Sequence, residues 1–330
     1  MTVTPVPVVG TSSQPRLVPY LSYSMFALDA RRGVDIDNLV PGGAPPPDQQ
    51  AALMQYIEAA SAQGDEIMQQ TLAATYDTGV GQANVGADWY ITIHPRYRPV
   101  IALTSFAYGS TPALLQPLAS LTGTWVERKR FKVPVGAGGG LPVNTSQGPL
   151  QFGASAAPQQ RVFCQYQYVN GYPITYLTAS VSAGATQVPV QDTTGIVPGK
   201  SWLTVYAGRA RYRFLAGALS NSTDGSGIAS GPGNVTITQS GASQLPAHAI
   251  TVPTMTDPAN DARAVMVSAV PADVIEGFVY LTRGLIKDPG AAALIGMTVP
   301  ATTLAADPGA AASDIDRGAK ILHKHLAELV

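Results

Sequence analysis

Apolar residues recur at helical spacing near both ends of this chain and at period two through much of the stretch between. Leu53, Tyr56, Ile57, Ala60, Ile67, Met68 and Leu72 form one stripe. Val274, Ile275, Phe278, Leu281, Leu285 and Ile286 form a second, and Ile315, Ala319, Leu322, Leu326 and Leu329 a third. A helix with one apolar face cannot bury that face alone, so helices from opposite ends of the chain must pack on one another, and the strands between them must be inserted into that packing. The pattern predicts an α+β chain: a small helical unit formed by N-terminal and C-terminal helices, with an inserted antiparallel β-rich module.

Local signals divide the chain further. Residues 1–47 are expected to be an extended N-terminal arm, ending in the breaker Pro41-Gly42-Gly43-Ala44-Pro45-Pro46-Pro47. Asp48 then serves as N-cap of a helix to about residue 76. Gly64 inside it costs about 1 kcal/mol relative to Ala, which points to close packing against another helix or a local break. The helical core is expected over 48–78 and 271–330, with Pro271 at its first helical position and Ser313 capping the last helix ahead of Asp314 and Asp316. Residues 87–134 read as a β-strand region in which 112–121 is a short helix and 125–132 a strand. Residues 135–160 are a Gly/Pro-rich arm, too long for an ordinary connection. Residues 161–252 read as an antiparallel β-module, sandwich or barrel, punctuated by Asn170-Gly171, Asp192-Thr193-Thr194-Gly195 and Pro198-Gly199.

Charge and cysteine content narrow the function. With 20 Lys plus Arg against 21 Asp plus Glu, no overall charge drives the chain onto nucleic acid or an acidic membrane. Charged residues are 12%, about half the usual ~25% share, while Gly and Pro are over-supplied. The single cysteine, Cys164, excludes an intrachain disulfide and is read as a buried strand residue. No run approaches the ~18 apolar residues of a spanning helix, and the phosphate-loop, dinucleotide, nucleophile-elbow and zincin signatures are absent. His323 and His325, two apart on a helix, fall on different faces and read as cations near its C-terminus. No cofactor is implied.

One polar pattern stands above this background. Arg209, Arg211 and Arg213 alternate with Ala210, Tyr212 and Phe214, so a strand sets three guanidiniums on one face and an apolar row on the other. Arg128, Arg130 and Lys132 repeat the pattern. Either these are solvated faces of half-buried strands, or they are a rim that meets an acidic partner surface or passing DNA.

The order of segments resembles a known family. Leu39-Val40-Pro41-Gly42-Gly43, Asp48-Gln49-Gln50-Ala51-Ala52-Leu53, Ile57-Glu58-Ala59-Ala60-Ser61 and Leu72-Ala73-Ala74-Thr75-Tyr76-Asp77-Thr78 resemble the head-to-tail adaptor (connector) proteins of long-tailed bacteriophages, the actinobacteriophage type above all. His94-Pro95-Arg96-Tyr97, Val188-Pro189-Val190-Gln191-Asp192-Thr193-Thr194-Gly195 and Val267-Ser268-Ala269-Val270-Pro271 continue the match in order. The resemblance covers about 39–110 and 160–330 and leaves 136–158 unaligned. It implies a non-enzymatic structural virion protein of the phage neck, made in the host cytoplasm and placed at the head–tail junction. There it would form a ring of about twelve copies, joining the portal protein to the next neck or tail-terminator protein, with genomic DNA passing through the lumen without sequence specificity and no membrane contact. The last helix, through Ile321, Leu322, Leu326 and Leu329, either docks on the portal by helix-in-groove binding or closes the protomer core.

Two other readings compete. A baseplate or fibre component with a carbohydrate-binding β-module would use Tyr166, Tyr168, Tyr172 and Tyr176 as an aromatic platform. A hydrolase would need a triad that includes His248, and nothing identifies its nucleophile.

Overall fold

The computed structural model describes residues 18–29, 33–40, 46–135, 161–207, 209–221, 229–238, 249–251, 265–288 and 308–329. The arm at 136–158 and His248 lie outside them. The chain divides into two compact units, one containing 75–170 and the other 17–74 with 171–330.

Among its described residues the first unit is built from strands and one 3-10 turn. Its strands are β1 (Thr75–Asn84), β2 (Tyr90–Ile93), β3 (Val100–Gly109), β4 (Gln116–Pro117), β5 (Trp125–Val126), β6 (Phe131–Pro134) and β7 (Arg161–Asn170). They form antiparallel sheets in the orders β1-β7-β3-β4 and β2-β6-β5. Phe131 centres an aromatic core, 5.2 Å from Tyr166 and 6.4 Å from Phe106 between ring centroids, both edge-on. Three expectations change here. Residues 161–170 pair with β1 and β3 and so belong to this unit, not to the later β-module. The expected helix at 112–121 is a single 3-10 turn followed by β4, and the expected strand at 125–132 is a hairpin. The first helix stops at Met68, and Tyr76 lies in β1.

The second unit joins a helical layer to a barrel. The helices are α1 (Tyr23–Leu28), α2 (Pro46–Met68), α3 (Ala272–Lys287) and α4 (Pro308–Leu329). The strands are β8 (Ile174–Tyr176), β9 (Gln187–Val190), β10 (Trp202–Ala207), β11 (Ala210–Leu219), β12 (Gly233–Thr238) and β13 (Met266–Ser268), in the order β8-β13-β10-β11-β12-β9. The sheet closes on itself where Leu177 bridges Val190 and the Gln191 amide donates to the Tyr176 carbonyl at 2.9 Å. Closure removes the exposed edges of an open sheet. The β-module is therefore a barrel, and it reaches β13, beyond the expected limit at residue 252. Alternation fills its interior with Val188, Leu203, Val205, Phe214, Val235 and Val267. On its outer face Tyr176, Met266 and Tyr206 stand in register across β8, β13 and β10 and join the helical core.

Close approach of backbones holds the helical layer. An added Cβ at Gly64 of α2 would lie 2.2 Å from the Phe278 ring of α3, so the glycine marks helix packing, not a break. At Gly318 of α4 a Cβ would lie 2.8 Å from the Gly277 carbonyl of α3. Asp314 is buried and receives hydrogen bonds from Arg283 and, at 2.9 Å, from Lys287. Burial pushes its carboxyl up, yet these cations more than offset that and hold it below the usual carboxylate range. Since α4 begins at Pro308, Ser313 is not its cap and Asp314 is an inter-helix anchor.

Residues 18–40 were expected in an extended arm, but the described part of this segment is built into the core. Tyr20, Leu21, Met25, Phe26, Ile36 and Leu39 are buried. The Tyr20 ring packs 4.8 Å from Phe278, and its hydroxyl donates to Asp65 at 2.5 Å. The Gln49 side chain accepts from the Val40 amide and donates to its carbonyl, standing in for a strand partner.

Gly64→Ala is expected to destabilise the protein by about 1–3 kcal/mol through overpacking against Phe278, despite the better helix propensity of Ala, measured by chemical denaturation. The Asp65 carboxyl is raised from 3.8 to about 6, chiefly by burial, against the lowering effect of its hydrogen bonds from Tyr20 and Leu72. The folded state thus holds its proton more tightly than the unfolded chain. This contribution is complete below pH 3.8 and is lost as pH rises through about 6, amounting to about 3 kcal/mol. Asp65→Asn is expected to flatten the stability profile across that window, and an unchanged profile would refute the assignment.

Candidate interaction surface

The β10–β11 hairpin sets two arginines at the ends of two cross-strand rows. Tyr206 lies opposite Arg211, continuing the row Tyr176–Met266–Tyr206, and Thr204 lies opposite Arg213, continuing Ile174–Ser268–Thr204. Those rows start beneath the helices and emerge at the arginines, both exposed. The Arg211 guanidinium lies 5.6 Å over the Tyr206 ring and that of Arg213 4.7 Å over Trp202. Stacking on a ring face restrains a guanidinium without using its hydrogen-bonding edge. On the other face Phe214 is buried in the barrel, as the alternation predicted. Arg209 differs from expectation: Ala207 pairs with Ala210, which puts Arg209 in the turn, where its Nε donates to the Leu28 carbonyl at 3.1 Å.

A cavity of about 210 Å³ opens beside this hairpin, lined by Met25, Leu28 and Asp29 from α1 and the residue after it, Tyr206, Arg209 and Arg211, and Ile275 and Val279 of α3. Leu28 is 46% exposed there. The sequence reading missed this cavity. A turn between 207 and 210 does pair Tyr206 with Arg211 on paper, but nothing local indicates that α1 and α3 close over the pair.

The second basic set is not a row. Arg128 lies in the turn of the β5–β6 hairpin, where its carbonyl accepts from the Val100 amide at 2.8 Å. Arg130 folds back on Glu127 at 2.7 Å, which holds that carboxyl below its usual range, and Lys132 approaches Asp88 at 3.7 Å. The strand expected to align them is interrupted by that turn.

The C-terminal set is committed to the protomer. Leu322 and Leu329 are buried, Leu326 packs on the same core, and Ile321 sits against Gly277. The last helix closes the core, burying Leu322 and Leu329 and leaving Ile321 and Leu326 half-buried against it. His325, read as a cation near the helix C-terminus, is likewise buried, with Nε2 and the Tyr172 hydroxyl 2.8 Å apart.

Other chemistry is sparse. Cys164 is buried, and burial pushes its thiol up to about 12, so it is protonated at neutral pH. Among the described residues no group of three or more His, Cys, Asp or Glu could hold a metal, and no helix is long and apolar enough to cross a membrane. Tyr166, Tyr168, Tyr172 and Tyr176 are all buried, the first two in one unit and the last two in the other, so they form no exposed platform.

Deleting 321–330 removes Leu322 and Leu329 from the core and is expected to cost at least about 5 kcal/mol. Loss of the cooperative melting transition would be the result, whereas a folded truncation would return α4 to a docking role. Searches against family models, curated proteins and solved structures each find no match to this chain.

Proposed function

We propose that this chain is a structural protein of the phage neck, a ring that joins the portal to the tail and surrounds the DNA channel. The observation that carries the reading is the architecture of the second unit. A helix near the start of the chain, α2, packs with two helices from its end, α3 and α4, and a closed β-barrel is inserted between them. The order of the segments that resemble head-to-tail adaptors agrees with this arrangement, and several of those segments fall on its structural joints. Leu39 packs in the helical core, Asp48 lies in the first turn of α2, and the segment 188–195 spans the end of β9 and the turn after it.

A ring needs a heterologous interface that closes by rotation. The portal would lie on one side, the next neck or tail-terminator protein on the other, and the genome would pass without base-specific contact. The role requires binding surfaces and no catalytic centre.

Gold-labelled antibody against the chain, applied to particles of a phage whose genome encodes it, is expected to mark the head–tail junction in electron micrographs. Label at the distal tail tip would favour a receptor-binding component, and particles without label would overturn both virion readings.

A further inference from the structure

The arginine hairpin and its neighbouring cavity together describe a ligand. Arg211 and Arg213 project from the same face of β11, about 7 Å apart along the strand, which is also the spacing of alternate side chains in an extended peptide. Both guanidiniums are held over aromatic rings, Tyr206 and Trp202, leaving their donor edges available. Among the described residues no acidic side chain forms an ion pair with either. The cavity at the hairpin carries Arg209 and Arg211 against a single acid, Asp29, while Met25, Leu28, Ile275 and Val279 make its walls apolar.

We infer that this surface docks an extended acidic segment of a partner protein, with alternate carboxylates on Arg211 and Arg213 and an adjoining apolar side chain in the cavity beside Leu28. The charge selects an anion and the spacing fits an extended chain. The apolar walls separate the two polyanions that satisfy both conditions. A nucleic-acid backbone offers nothing to fill the cavity, whereas an apolar anchor inside a rim of charged pairs is the usual construction of a protein interface. Carboxylate–guanidinium pairs fix the register of the segment, and the anchor slows its release. The assignment holds whether or not the chain sits in a phage neck.

The test is fluorescence anisotropy on the full chain with a labelled synthetic peptide carrying glutamates at alternate positions next to a leucine. Three further probes accompany it: the peptide with glutamines in place of glutamates, the peptide with serine in place of leucine, and a labelled DNA duplex. Saturable binding of the acidic leucine peptide is expected. Glutamine replacement or the double substitution Arg211→Glu, Arg213→Glu should weaken it by about tenfold or more. Serine replacement or Leu28→Ser should weaken it by a smaller but measurable factor. Leu28 is exposed enough for its substitution to leave the fold intact, so the result stands even if the arginine variants fail to fold. Absence of saturable peptide binding overturns the inference, as does binding indifferent to the glutamates and to Leu28. Duplex binding as tight as the peptide's and insensitive to Leu28→Ser would reassign the arginines to a nucleic-acid backbone and also overturn it.

Discussion

The Phe278 ring laid on the bare backbone of Gly64 is the contact on which the second unit depends. It brings a helix from the first quarter of the chain against one from its last fifth. The Gly277–Gly318 approach adds α4 to α3, and the Asp314 cluster with Arg283 and Lys287 fixes how those two helices are aligned. Once the layer is assembled it buries Tyr176, Met266 and Tyr206 of the barrel's outer face. The same rows then present Arg211 and Arg213 at the point where the helical cover ends. Packing of the helices thus decides which outward-facing residues of the barrel are core and which are surface.

The two units solve the same problem differently. The barrel closes its hydrogen-bonding ring through Leu177 and Val190 and fills its interior with aliphatic side chains. The first unit gathers its sheets around the Phe131 aromatic cluster and begins and ends on a matched pair of strands, Thr75 lying opposite Asn170. At the second unit's side of this junction, Gly171 has a φ of +91°, and an added Cβ there would meet the Ala73 carbonyl at 2.6 Å. Only glycine fits both the angle and the space.

Helices and barrel strands were legible because each carries a periodic apolar pattern that its burial demands: the stripe through Leu53, Ile57 and Ala60, or the alternation at Leu203, Val205, Tyr212 and Phe214. What could not be read is what depends on non-local partners. Residues 161–170 alternate like any half-buried strand, and nothing in their period says that Tyr76 to Ala83 is the neighbour. The segment around Tyr20 has no period at all, since its order comes from Asp65, Ser61 and Phe278, more than forty residues away. At the candidate surface Arg211 and Arg213 were visible by alternation, while the cavity was not, because α1, the β10–β11 hairpin and α3 meet there only after folding. Arg130 and Lys132 misled because a spacing of two fits a turn as well as a strand.

The insertion of both β bodies between α2 and α3 has a mechanical consequence. Tension applied between residue 18 and residue 329 need not be carried along the intervening strands. It can pass across the sides of α2, α3 and α4, which resist sliding through interlocked side chains and glycine contacts. Whatever pulls on the two ends of the described chain loads the helical layer in shear, and it reaches the barrel only sideways, through contacts such as the hydrogen bond from the Tyr176 hydroxyl to the Pro19 carbonyl.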